Sequence, residues 1–536
     1  MIKKTAEDFA KEQKEISVSE FFEKNKHLLG FDNPTKALLM AVKEAVDNSL
    51  DATEEAGILP DIGVRIKQTG EDKHRVSIQD NGPGIVKQHI PNIFGKLLYG
   101  SKFHRLRQSR GQQGIGISAV LLYSQLTTGK STKVWSRIGK DKPMNYYELL
   151  MNTMKNEPQI IKEELVDNGF ENGTKVQLEL LGRYRKTQSV GDYIKQTSIA
   201  NPFAKISYTG PDGVRKTFPR SVNELPTPPR EIKIHPYGVE FGVLLRMLGR
   251  TKTKTIQAFL TNEFSSIGAT SAKEICKVAK LKPNEKPGSL ERESIEKLIR
   301  GMQKVKVQRP PLDCLSPIGD IEFEKSLRKE YPDAEFIATG VREPSVYKGN
   351  PFQIEVGIVY GKKQDKIDDD DEDVIEDRNQ IKIMRFANRV PLLYQAGACA
   401  TIESIKTTAW KRYGLTQSGN NIPYGPMILV IHMCSVWVPF ISESKEAIAP
   451  YPEIVKEMRL AIQDTGRKLS RYLSGKRRAG EQQRRIQIFE RYSSEVATAV
   501  SVLTEKDKKM IEKKMQDLVK SRSKSKETGE KNENQE

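Results

Sequence analysis

The sequence predicts an α+β protein built of several domains, and three observations carry that prediction. At 536 residues the chain exceeds what one hydrophobic core organises, since a domain averages about 150 residues. Strand-type alternation and helical spacing intermingle in both the first and the third parts of the chain. Between them lies an all-helical stretch bounded by prolines.

The elements follow in order. Asn33-Pro34 is a helix start, an N-cap followed by proline at the first helical position, and Leu39, Val42, Val46 and Leu50 then recur at helical spacing. Residues 76–79 alternate like a strand, as do 175–180, while an apolar helix follows the glycines that end at Gly116. Pro226, Pro228 and Pro229 close a first region, 1–229, because consecutive X-Pro steps disfavour helix and strand interiors alike. In 230–308 the apolar stripe Ile256, Phe259, Leu260, Phe264 is interrupted at Gly268 and resumes at Ala272, Ile275 and Ala279, which reads as a small helical module. After Pro310-Pro311 a third region, 309–475, shows alternation at Phe352, Ile354, Val356 and Ile358, with apolar strands near 381–386 and 427–438. From Tyr451 a long charged helical pattern begins, and its basic extension, 476–520, carries Lys476-Arg477-Arg478 and Arg484-Arg485. Residues 521–536 hold almost nothing apolar and read as a disordered tail. No internal repeat is evident.

Lys plus Arg exceed Asp plus Glu by 18, which favours a polyanionic partner, nucleic acid above all. Cys276, Cys314, Cys399 and Cys434 make no CxxC pair and the six histidines are scattered, so neither a disulfide framework nor a zinc site is expected. The N-terminus carries acids where a signal peptide has its apolar core, and no apolar run reaches about 18 residues. A soluble, intracellular protein with no membrane association is expected. The acidic run 368–373 reads as a solvated loop in preference to a metal site.

Three short motifs carry the chemistry. In Glu44-Ala45-Val46-Asp47-Asn48, helical geometry sets Glu44, Asn48 and Asp51 in one stripe beside Ala41 and Ala45, the geometry for a general base next to a metal ligand. ExxxN by itself also describes an ordinary solvated helix face. In Asp80-Asn81-Gly82-Pro83-Gly84, a carboxylate follows a strand and precedes glycines, Gly82 and Gly84, that let backbone approach a planar ligand. Alone, this is also a common turn. The third motif, Gly111-Gln112-Gln113-Gly114-Ile115-Gly116, runs directly into Ile117-Ser118 and an apolar helix, so that backbone amides and a helix N-terminus face anionic phosphates. The basic stretch 101–110 before it is expected either as a lid over triphosphate or as a solvated loop. GxxxxGK[ST] is absent, and no clear strand precedes the glycines as a Rossmann site requires.

The conjunction ExxxN, DxGxG, GxxGxG resembles the Bergerat-fold, or GHKL, ATPases: type II topoisomerases, MutL-type repair proteins, heat-shock chaperones and histidine kinases. Gly173-Thr174 at the head of a strand is similar to the fourth motif of that superfamily. Within it, the wording of 100–118, of 385–394 and of 436–449 looks like the B subunits of type IIB DNA topoisomerases, over nearly the whole chain to about residue 475. The resemblance implies a GHKL α/β sandwich at 1–229, a helix-two-turns-helix domain at 230–308 and a transducer domain of ribosomal S5 domain 2-like α+β fold at 309–475, with a long C-terminal helix.

Carried over by position, the resemblance implies that Glu44 polarises the water that attacks the γ-phosphate and that Asn48 holds Mg²⁺. Asp80 and Thr174 would read the adenine of ATP. Ser101, Lys102 and Gly111, Gln112, Gln113, Gly114, Ile115, Gly116, Ile117 and Ser118 would line the phosphates. Lys445 would reach the γ-phosphate from the transducer, although nothing in composition singles it out. The implied partners are double-stranded DNA, a second copy of the chain on ATP binding, and a DNA-cleaving A subunit in an A2B2 heterotetramer, because the chain shows no recognisable cleavage tyrosine or acidic metal cluster of its own. A MutL-type clamp, a chaperone and a non-hydrolysing nucleic-acid scaffold are the alternatives. The helical insert argues against the first two and Glu44 against the third.

Overall fold

A computed structural model describes the chain apart from residues 1–8, 11–12, 14–15, 102–104, 112–113, 167–168, 186–188, 362–379, 443, 516 and 518–536. The acidic run and the C-terminal tail therefore lie outside the described residues. Two compact units are present: Met1–Lys411 with Leu415–Gly466, and Arg412–Gly414 with Arg467–Glu536.

In the larger unit, α1 (Val18–Lys24) precedes α2 (Pro34–Glu55). Asn33 caps α2 as its side-chain oxygen accepts from the Lys36 amide at 2.8 Å, and Pro34 occupies the first turn. Then come β1 (Asp61–Gly70), β2 (Lys73–Gln79), α3 (Ile90–Gly95), α4 (Gly116–Thr128), β3 (Thr132–Arg137), β4 (Met144–Asn152), β5 (Glu157–Val166), β6 (Gly173–Leu181), α5 (Val190–Ala200), β7 (Lys205–Thr209) and β8 (Arg215–Phe218). The strands form one sheet in the order β5-β4-β3-β6-β2-β1-β7-β8, antiparallel except for β1 beside β7. Alternation explains the register: Val64 and Ile66 face Val76 and Ile78 across the β1–β2 pair, and all four lie in one core with Leu38, Leu39, Val42, Val46 and Leu50 of α2. Each such side chain contributes about 1.5–3 kcal/mol on burial. The apolar side of α2 is thereby fixed to the sheet, which leaves its Glu44–Asn48 side for the site.

Four helices follow, α6 (Phe241–Arg250), α7 (Ile256–Glu263), α8 (Ala269–Ala279) and α9 (Arg292–Lys304), around a core of their own that includes Phe259, Leu260, Phe264, Ile275 and Leu298. A second sheet is built after α10 (Asp320–Glu330) from β9 (Phe336–Val341), β10 (Ser345–Tyr347), β11 (Asn350–Tyr360), β12 (Lys382–Ala387), β13 (Val390–Pro391) and, beyond α11 (Ala400–Lys406), β14 (Met427–Ser435). Its order is β10-β11-β14-β12-β13, with β9 also on β11. The last helix, α12, spans Pro452–Thr504. In the smaller unit the Ser470 hydroxyl donates to the Arg412 carbonyl at 3.4 Å. Cys276, Cys314, Cys399 and Cys434 are buried free thiols, and burial pushes that of Cys314 up to about 11. Among the described residues no helix is long and apolar enough to cross a membrane, and no cluster of His, Cys, Asp and Glu is arranged to hold a metal.

Candidate nucleotide site

The site gathers on the sheet-free side of α2. Glu44 is half-buried and Asn48 is exposed, with Ala41 and Ala45 buried beside them. The stripe is solvated only in part. Lys43, Asp47 and Asp51 are buried, Lys43 Nζ lies 3.1 Å from Asp47 and 3.5 Å from Glu44, and the Tyr193 hydroxyl donates to Asp47 at 2.9 Å. Burial disfavours the Lys43 ammonium, but Asp47 and Glu44 outweigh it and hold the group charged.

The glycine loop closes on this stripe. A Cβ placed on Gly116 would lie 1.8 Å from Glu44 Oε2, and one on Gly111 would lie 3.7 Å from Asn48 Oδ1. Only glycine permits the N-terminus of α4 to meet the Glu44 carboxylate. Ile115 provides no side-chain cap, so the first amides of α4 keep their donors for another acceptor, and the Ser118 hydroxyl turns back to the Ile115 carbonyl at 3.0 Å. Gly114 and Ile117 lie in this turn, and Ser101 is exposed. Lys102, Gln112 and Gln113 lie outside the described residues.

Asp80 stands where β2 ends. Its Oδ1 accepts the amides of Gly82 at 2.9 Å and Thr174 at 3.0 Å, and its Oδ2 accepts the Ser49 hydroxyl at 2.9 Å. Burial nevertheless raises this carboxyl above its ordinary range, against those three donors. Oδ2 retains acceptor capacity for one more donor. Gly84 has φ +72°, and its Cβ would strike the Arg137 carbonyl at 2.2 Å, so the turn brings backbone to β3 more closely than any side chain allows.

From the second sheet, the loop after β14 delivers Lys445. Its Nζ lies 3.4 Å from the Arg110 carbonyl, and its charge is felt by Glu44, Asp47 and Asp51. Burial, opposed by those carboxylates, leaves this ammonium below the usual lysine range. Glu446 next to it pairs with Lys36 of α2 at 2.6 Å.

The described part of the basic stretch corrects an expectation. Residues 105–110 form a strap and not a lid: Leu106 bridges to Ile232, Gln108 makes two 2.8 Å bonds to the Ser316 backbone, and the Ser109 carbonyl accepts from Asn388 at 3.1 Å. Arg110 is buried and joined to Asp51, Glu54 and Asn201. Sequence reasoning passed over Lys43, Asp47, Ser49, Glu54, Asn201 and Arg389, and took Arg110 only as part of the basic stretch. The i, i+4 spacing Lys43–Asp47–Asp51 was a signal for the helical ones; for Asn201 and Arg389 no local signal exists.

The chain is similar to known proteins along both sheets. The family described as "Histidine kinase-, DNA gyrase B-, and HSP90-like ATPase" matches residues 33–183, and "Topoisomerase VI B subunit, transducer" matches residues 310–485. Curated relatives are each named as the B subunit of type 2 DNA topoisomerase 6. That of Methanosarcina barkeri is 49% identical over 504 residues, 94% of this chain and 79% of the relative. That of Archaeoglobus fulgidus is 45% identical over 467 residues, 87% and 75% of the two chains. That of Thermococcus gammatolerans is 38% identical over 578 residues, 99% of each.

Proposed function

The chain belongs to the family of type 2 DNA topoisomerase 6 B subunits, and from that premise we propose how its ATP-hydrolysing site works. It is the ATPase subunit of a type II topoisomerase with a GHKL fold and a transducer. The observation that carries the reading is the meeting of Glu44 with the N-terminus of α4, while Lys445 reaches the Arg110 carbonyl next to the glycine loop.

Asp80 accepts the adenine amino group through Oδ2, with Thr174 beside it, and Gly82 and Gly84 let the backbone of the turn approach the ring. Gly111, Gly114, Ile115, Gly116, Ile117 and Ser118 turn amides and a helix N-terminus toward the phosphates, and Ser101, Lys102, Gln112 and Gln113 complete their binding. Glu44 holds the attacking water and accepts its proton, while Lys445 meets the charge that develops on the γ-phosphate oxygens. The exposed amide oxygen of Asn48, beside the Glu44 carboxylate and Gly111 of the loop, is a hard oxygen donor of the kind Mg²⁺ takes, so Asn48 would hold that ion, which would supply charge neutralisation to the phosphates. Because Lys445 comes from the second sheet, γ-phosphate contact ties that sheet to the nucleotide, and hydrolysis releases the tie.

The domain division we propose is 1–229, 230–308, 309–475, 476–520 and 521–536, as GHKL, helix-two-turns-helix, transducer, basic extension and tail. ATP-dependent pairing of two copies forms a gate for duplex DNA, with cleavage supplied by an A subunit in an A2B2 assembly inside the cell. The test is relaxation of supercoiled plasmid by this chain with an A subunit and ATP, wild type against Glu44→Ala. Relaxation by the wild type alone is expected; an unchanged ATPase rate in the variant would remove Glu44 from its role.

A further inference from the structure

Helix α2, which carries Glu44 and Asn48, is gripped at both ends by ion pairs to loops of the second sheet. Near its start Lys36 meets Glu446 at 2.6 Å, and both residues are buried. Near its end Glu54 meets Arg389 at 3.1 Å, and Arg389 is 3% exposed. The two grips stand 18 residues apart, about 27 Å along the helix axis, and the catalytic stripe lies between them. Each grip is joined to a phosphate-facing part. Glu446 adjoins Lys445, while Glu54 and Asn201 each bridge Arg389 to Arg110, the residue before Gly111: Asn201 donates to the Arg389 carbonyl at 3.1 Å and accepts from the Arg110 guanidinium.

The backbone at Arg389 marks the side chain as the reason for its presence. Asn388 and Arg389, with φ of 48° and 65°, form the two-residue turn between β12 and β13, where glycine is the residue that fits without strain. The turn is held there by surrounding bonds. The Arg389 amide donates to His432 Nε2 at 2.9 Å, His432 Nδ1 donates to Glu355 at 2.6 Å, and Glu355 also accepts the amides of Ile318 and Gly319 at 2.8 Å. Arg389 Nη2 also reaches the Ser316 hydroxyl at 3.2 Å. A buried arginine beside a second buried arginine is costly to keep, so stability alone is a poor reason for it.

We propose that Arg389 and Glu446 are positioning residues that hold α2 in register with the phosphate loop and Lys445, so that the second sheet sets the catalytic geometry at both ends of the helix and not through Lys445 alone. The proposal rests on the ATPase reading above. Adenine recognition at Asp80 is held by the Gly82 and Thr174 amides as well as by Ser49 of α2, so it depends on the register of the helix less than the reacting groups do, which predicts a particular kinetic signature.

The experiment measures ATP turnover, KM and melting temperature for the wild type, Arg389→Ala, Arg389→Lys, Glu446→Gln and the Arg389→Ala/Glu446→Gln double variant. For Arg389→Ala and for Glu446→Gln we expect kcat to fall about tenfold or more while KM for ATP stays within about threefold, because the reacting groups move while the Gly82 and Thr174 bonds keep Asp80 in place for the adenine. The double variant should lose little more than either single one, since one freed end already lets α2 leave its register. Arg389→Lys keeps the charge without the fork, and should melt like the wild type with kcat still reduced. A lowered melting temperature with wild-type kcat, or losses that multiply in the double variant, would overturn the proposal. A wild type that hydrolyses no ATP would instead remove the reading on which it rests.

Discussion

Two residues decide whether this site works, and they pull against stability in different ways. Gly116 leaves no room for a methyl group beside Glu44, so Gly116→Ala must push the carboxylate aside. A displacement of about 1 Å at a reacting group costs about 100-fold in rate, and kcat of the variant should fall by that order with the melting temperature held, as steady-state ATPase and calorimetry would show. Asp80 behaves oppositely. Burial places its folded pKa above the unfolded one, so its ionisation costs stability at neutral pH, and the cost is relieved as pH falls through the raised value. Asp80→Asn resembles the protonated form, and its amide oxygen accepts from Gly82 and Thr174 as before. It should therefore melt at or above the wild-type temperature at neutral pH, with the gap closing under mild acid. Its amide nitrogen would face the adenine amino group donor to donor, so calorimetric titration should detect no ATP binding.

At the scale of elements, cores divide the chain more sharply than the path of the backbone does. The four helices α6 to α9 bury Phe259 completely, against Phe264 at 5.5 Å between ring centroids, within a core that shares no residue with the large sheet. Phe259→Ala should cost about 3–5 kcal/mol there, and amide exchange should accelerate across 241–304 while β1, β2 and β6 keep their protection. Such elements were legible because their periods are local. Asn33-Pro34 marked the start of α2, and alternation at Phe352 to Ile358 marked β11. The strap 105–110 was not legible: its basic residues look solvated in sequence, and the partners that hold Leu106, Gln108 and Ser109, namely Ile232, Ser316 and Asn388, are each more than 100 residues away. Lys445 became a candidate by resemblance, because its position depends on a left-handed backbone at φ 55° and on the Arg110 carbonyl, more than 300 residues earlier in the chain.

For the whole molecule, charge is unevenly assigned, and the unevenness separates two jobs. Around α2 the cations are buried and paired with carboxylates, Lys43 with Asp47 and Glu44, Lys36 with Glu446 and Asp32, Arg110 with Asp51 and Glu54. The surplus of 18 positive charges must therefore lie largely elsewhere. In the smaller unit, Arg477, Arg478, Arg484 and Arg485 stand exposed on α12. If these arginines contact duplex phosphates, each releases counterions on binding, and the logarithm of affinity falls with the logarithm of salt by about 0.9 per phosphate neutralised. Replacing all four with glutamine should flatten that slope by about 3 to 4 and weaken binding alike on every duplex sequence, since phosphates carry no base information. ATP hydrolysis without DNA should not change, because the site around α2 is built from other charges. Fluorescence anisotropy of a labelled duplex across a salt series reads the slope directly. A slope that stayed as steep as in the wild type would locate the phosphate contacts on another surface of the chain.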